Sequence, residues 1–167
     1  LYDPDILLSL IKVLIVVAAI STIIASFVIS VLEINGASMN PTLDEGQLVV
    51  AYRSDIEKND LVAFYQGNKI LVKRVIARQG DFVNITDDGD VFVNGKVVKE
   101  PYVNKKSLGN TDIEYPYQVP DGHYFVLGDK RDTSIDSRNS AIGAVSKEDI
   151  LGKVVIRIWP LNKFKNF

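Results

Sequence analysis

The chain contains no cysteine and a single histidine, His123. The first absence excludes disulfides, thiolate catalysis and cysteine-based zinc sites. The second argues against a histidine-rich metal centre or a Ser/His/Asp triad, so a hydrolase built from these residues must find its general base elsewhere. An excess of one charge is missing too: 19 Lys and Arg against 21 Asp and Glu leave a formal net charge of −2, with the basic residues scattered. Without a basic face there is no basis for nucleic-acid binding. Internal repeats and low-complexity segments are absent.

What the sequence does have is an uneven distribution of apolar residues, which make up 47% of its 167 positions. Residues 13–32, VLIVVAAISTIIASFVISVL, carry no charge. That run of about 20 residues is the length a helix needs to cross a bilayer core, and it predicts a transmembrane helix. A signal-peptide core is shorter and ends in a small-residue cleavage site. Ser21, Thr22, Ser26 and Ser30 do not oppose the span, since a helical hydroxyl can bond a backbone carbonyl one turn back. Lys12 against Asp3 and Asp5 is too little to orient it by the positive-inside rule. A chain that begins at Leu1 is expected to lack residues upstream. Residues 33–167 suffice for one domain of ordinary size beside the membrane.

Beyond Gly46, β-branched and alternating runs dominate: QLVVAYR, DLVAFYQ, ILVKRVIAR, VFVNGKVV, HYFVLGD and KVVIRIW. They predict a mainly β domain. Asn94 and Gly95 between VFV and KVV suit a type I′ hairpin, whose two central residues need positive φ. From 102 to 119 the run YVNKKSLGNTDIEYPYQV has little periodicity and several breakers, and reads as an irregular excursion or small subdomain. Ser146 in SKEDI reads as the N-cap of one helical turn.

Three constellations could carry chemistry. In NGASMNPTL, Ser38 stands between small residues and a proline turn, where its hydroxyl and backbone N–H can be exposed to a substrate carbonyl. The same residues are also ordinary turn chemistry. In ILVKRVI, Lys73 shares a strand face with Leu71 and Val75. Desolvation there disfavours the ammonium and could leave an amine able to take a proton, although an edge lysine that snorkels to solvent fits equally. Arg74 on the opposite face reads as a surface or ion-paired residue. In GDKRDTSIDSR, Asp136 and Arg138 could pair and Ser134 could orient the lysine, or the segment is a solvated charged turn.

Taken in order, the span, GASMNPTL, the strand pair GQLVVAY and DLVAF, KRVIARQGD and GDKRDTSIDSR with AIGAVSKEDILGKV resemble the type I signal peptidases of the Gram-positive kind, as far as about Gly152. The resemblance implies a signal-peptidase-like antiparallel β catalytic domain with one N-terminal transmembrane helix. It implies a serine endopeptidase that cleaves signal peptides after small residues (A-x-A) through an acyl-enzyme, with no metal or cofactor. Carried over by position, Ser38 is the nucleophile, Lys73 the general base and Ser134 the hydroxyl that positions Lys73. Asp136 and Arg138 form a supporting pair, and Asp129 holds Arg74. Ile34, Met39, Leu43, Leu71 and Val72 are expected to line the substrate pockets. Residues 1–12 become a short cytoplasmic segment and 33–167 an extracytoplasmic domain, with a hairpin and irregular subdomain over about 85–122. Exported preproteins and the lipid bilayer are the expected partners, and the secretion translocon a candidate one. Two departures stand out: Lys130 replaces an asparagine and adds a charge that could shift the amine's proton affinity, and Gly36 offers no side-chain oxyanion donor. A non-proteolytic pilus or surface-protein assembly factor is the main alternative. A soluble self-cleaving repressor is a second, disfavoured by the span and the weak basicity.

Overall fold

Proline suits the start of a helix, where its missing N–H is not needed, and the first element, α1, runs Pro4–Val28 with Asp5 in its first turn. The computed structural model describes residues 4–167, with residues 24–27 described by their backbone alone. The expectations for Leu1, Asp3 and the Ser26 hydroxyl therefore lie outside what is described. The stretch Pro4–Ile23 is long and apolar enough to cross a membrane, and none of it is buried against the domain. Thr22 Oγ1 donates to the Ala18 carbonyl at 2.8 Å, the back-bond that makes a hydroxyl tolerable in such a helix.

The helix does not occupy residues 13–32. It begins earlier, at Pro4, and stops at Val28, and Ile29–Glu33 is a strand, β1, paired antiparallel with β2, Leu48–Tyr52. Absence of charge marks residues that tolerate an apolar setting, not their backbone conformation. At Ile29, Val31 and Leu32 the pairing with β2 satisfies the backbone, and these side chains fit a pleated strand.

The other strands are β3 (Leu61–Gln66), β4 (Lys69–Arg78), β5 (Phe82–Ile85), β6 (Val91–Val93), β7 (Lys96–Val97), β8 (Tyr117–Gln118), β9 (His123–Leu127), β10 (Val145–Ser146), β11 (Ile150–Trp159) and β12 (Lys165–Asn166). They form two antiparallel sheets, the larger in the order β1-β2-β11-β3-β4-β9-β10 with β12 on β11, the smaller in the order β7-β6-β5-β8. The fold is mainly antiparallel β with one N-terminal apolar helix, as the sequence predicts. Asn94 and Gly95 turn the β6–β7 hairpin at φ +52° and +74°. Ser146 caps the 3-10 turn Lys147–Asp149 by accepting from the Glu148 N–H.

Alternating side chains of β3 divide the core. Leu61 and Ala63 pack with Ile34, Met39, Leu43, Val49, Ala51 and Val154, whereas Val62 and Phe64 pack with Val75, Val126 and Val145. Both faces of this strand are covered, which is why LVAF reads as a continuous apolar run. The small sheet buries Val83, Ile85, Val91 and Val93 against Ile76 and Ala77 of β4 and Phe125 and Leu127 of β9. Residues 98–116, between β7 and β8, contain no helix or strand.

Candidate active site

The segment that follows β1 is a closed loop. The Ile34 N–H donates to the Gln47 carbonyl and the Gly46 N–H to the Ile34 carbonyl, both at 2.8 Å. Gly36 sits at φ +83°, a left-handed conformation that favours glycine. Met39 and Leu43 pin the loop from inside, both buried in the core. Ser38, next to buried Met39, is left half-buried at the surface. Its carbonyl accepts from the Lys130 N–H at 3.0 Å, while its own N–H makes no hydrogen bond among the described residues.

β4 starts exposed at Lys69 and Ile70 and is buried from Lys73 to Ala77. Lys73, 3% exposed, reaches the same point from the sheet side, and its Nζ lies 2.6 Å from Ser38 Oγ. Burial pushes the Lys73 ammonium from an ordinary 10.5 down to about 8. Asp136 opposes that shift, Arg138 adds to it and Asp129 opposes it. A lysine so placed is partly neutral near physiological pH and can accept the proton of the hydroxyl it touches.

The third contributor is the loop after β9. Arg138 holds Asp136 through Nε and Nη2 at 2.8 and 2.9 Å, with neither side chain exposed. Asp136 also accepts from the Gly128 N–H at 2.9 Å, and Arg138 reaches the Ser134 carbonyl at 3.3 Å. Asp129 takes a two-pronged contact from Arg74, at 2.9 and 2.6 Å, and a short hydrogen bond from the Thr42 hydroxyl. Arg74 is thus buried and ion-paired rather than at the surface, because both faces of β4 are covered here. Gly128 leaves room for its neighbours: a Cβ there would lie 2.1 Å from Ser134 Oγ and 2.6 Å from the Ser38 carbonyl oxygen. Ser134 Oγ is buried and has no hydrogen-bond partner among the described residues, so the bond to Lys73 expected from the sequence is not formed. Lys130 meets Ser38 through its backbone, and the charges that act on the Lys73 amine are those of Asp136, Arg138 and Asp129.

Beside Ser38 and Lys73 lies an open cleft of about 340 Å³. Ile34, Met39, Leu71 and Val72 line it, with Val31, Leu32 and Glu33 of β1. Leu43 does not: it is 0% exposed and belongs to the core beneath the loop. Sequence reasoning missed the β1 wall, which it read as membrane helix, and an inner pair formed by Glu100 and Arg131. That pair has Nη2–Oε1 at 2.5 Å and Nη1–Oε2 at 3.0 Å. Partners 31 residues apart in irregular chain leave no spacing signal. Among the described residues there is no cluster of His, Asp or Glu able to hold a metal ion.

Known proteins are similar to this chain over most of its length. A signal peptidase I of Bacillus amyloliquefaciens is 34% identical over 166 residues, covering 92% of this chain and 89% of that protein. A signal peptidase IB of Staphylococcus aureus (strain COL) is 37% identical over 166 residues, covering 86% of this chain and 85% of that protein. A crystal structure of a signal peptidase I from Enterococcus faecalis V583 covers 60% of this chain and 97% of its own at 27% identity, with a TM-score of 0.49. The family described as signal peptidase, peptidase S26, matches residues 7–159, from the apolar helix to the end of β11. So long a match leaves only the chain's two ends outside it, and the chain belongs to that family.

Proposed function

We propose that this signal peptidase cleaves exported preproteins with Ser38 as nucleophile and Lys73 as general base. The observation that carries the reading is the 2.6 Å contact between Lys73 Nζ and Ser38 Oγ, with the amine buried. With Lys73 neutral, the Ser38 hydroxyl donates its proton to Nζ as Oγ attacks the scissile carbonyl. The uncommitted Ser38 N–H stabilises the oxyanion, since Gly36 has no side chain to help. Lys73 then returns the proton to the leaving amine as the C–N bond breaks. The acyl-enzyme is hydrolysed by a water that Lys73 deprotonates, and the proton goes back to Ser38 Oγ as the carboxylate leaves.

Ser134 is the residue we assign to hold the lysine during these transfers. A buried hydroxyl without a partner costs about 1–3 kcal/mol, a cost that a hydrogen bond to the Lys73 amine during the transfers offsets. Arg138, Asp136, Asp129 and Arg74 hold the loop and β4 in place around it. The signal peptide lies extended in the cleft, where Ile34, Met39, Leu71 and Val72 leave space for small side chains of the A-x-A kind. α1 anchors the enzyme in the bilayer by a single pass, with its N-terminal end on the cytoplasmic side and the β domain on the outer face. There it meets preproteins as they leave the secretion translocon.

The test is cleavage of a preprotein bearing an A-x-A site by the purified chain in detergent. Wild type releases the mature protein, whereas Ser38→Ala and Lys73→Ala, folded by circular dichroism, release none. Wild-type protein that cleaves no preprotein would favour the assembly-factor reading.

A further inference from the structure

Glu100, Pro101 and Tyr102 leave the small sheet on a turn with no sheet partner of its own, yet two of its side chains point inward. Glu100 and Arg131 form a bidentate pair whose side chains are 2% and 1% exposed. Buried pairs of this kind add little net stability, because desolvation offsets the attraction, but a fork-to-fork contact fixes geometry well. The same guanidinium donates through Nε to the Gly128 carbonyl at 3.0 Å. Gly128 is the residue squeezed between Ser134 and the Ser38 carbonyl.

Tyr102 acts on the next residue along. Its ring lies under the Arg74 guanidinium, 3.8 Å from Cζ to the centroid, and Arg74 in turn holds Asp129. The Tyr102 hydroxyl donates to Glu100 Oε1 at 3.2 Å, which joins the two arms. Pro101 between them restricts the backbone of the turn. Gly128 and Asp129 are therefore both held from one side by this turn, and the Lys130 N–H that follows is bonded to Ser38.

We propose that Glu100 and Tyr102 are positioning residues for catalysis, a clamp through which the irregular segment after the small sheet fixes Gly128–Asp129 against Ser38. The inference rests on the assignment of Ser38 and Lys73 made above. Glu100 acts on the distance and angle at the nucleophile and not on the charge around the base. Misplacing a reacting group by about 1 Å costs roughly 100-fold in rate, while the substrate cleft, which neither residue lines, stays as it is.

The experiment uses the full chain in detergent with an A-x-A signal-peptide substrate, below the thermal midpoint of each variant. Glu100→Gln, which keeps the shape but leaves Arg131 without its counter-charge, should lower kcat about 10- to 100-fold. KM should stay within about threefold and the acid limb of the pH profile should not move, with part of kcat restored in Glu100→Asp. Tyr102→Leu should fall in the same way, and Tyr102→Phe, which keeps the ring under Arg74 but loses the hydroxyl bond to Glu100, should fall less. Should Glu100→Gln not fold, the Tyr102 pair decides. Wild-type kcat in folded Glu100→Gln or Tyr102→Leu, or a loss carried in KM, overturns the clamp. Cleavage that survives in Ser38→Ala overturns the site assignment instead.

Discussion

Replacing Lys73 by methionine should make the enzyme inert and more stable at the same time. The side chain is 3% exposed, and its folded-state value is lowered from 10.5 to about 8. Each unit corresponds to about 1.4 kcal/mol, so the folded protein carries a penalty of about 3 kcal/mol for the protonated amine. Because the folded value lies below the unfolded one, the penalty is fully present below about pH 8, where both states hold the proton. Between about 8 and 10.5 the folded state sheds its proton first and the penalty shrinks, and above that range it is gone. Methionine is flexible, similar in length and uncharged, and can follow the same buried path. Urea denaturation in detergent should therefore show Lys73→Met more stable than wild type by up to about 3 kcal/mol at pH 7. That advantage should decay as pH rises toward 10.5. A destabilised Lys73→Met at pH 7, or a difference that stays flat across the range, would refute the reasoning.

Two further substitutions probe the loop after β9. Gly128→Ala places a methyl group 2.1 Å from Ser134 Oγ and 2.6 Å from the Ser38 carbonyl oxygen, so the loop must move. Its kcat should fall about 100-fold, read by steady-state cleavage. Asp136→Asn leaves the fully buried Arg138 without a counter-charge and should cost about 3–5 kcal/mol in urea denaturation. Asp136 also raises the Lys73 value, so in whatever folded enzyme remains the acid limb of the rate profile should move to lower pH.

How much of this was legible in the sequence depended on whether the information was local. Six apolar runs bounded by turn residues gave the main strands, and Asn94 with Gly95 gave the hairpin. The strands β8, β10 and β12, of two residues each, are too short to carry a periodic signal. The charge-free run 13–32 spans a helix and a strand because hydropathy is blind to the difference when both suit an apolar setting. At the site, small neighbours and an apolar strand mark Ser38 and Lys73 only as candidates, and it is the order of motifs along the chain that singles them out. Leu43 was misplaced because position near Ser38 does not say which side of the loop faces the core. Glu100 and Tyr102 stayed hidden in an irregular segment, where a buried acid looks like a solvated one. Arg131 stands in a run of alternating charges that fits a solvated turn as well as a buried pair.

The central claim, that a buried lysine serves as base for Ser38, is tested most directly by the pH dependence of kcat/KM for cleavage of an A-x-A peptide. A single acid limb near pH 8 with unit slope is expected, since kcat/KM reports the free enzyme. A limb at about pH 6.5, the range of an unperturbed histidine, would contradict that claim, as would one at about 10.4, the value of a solvated lysine.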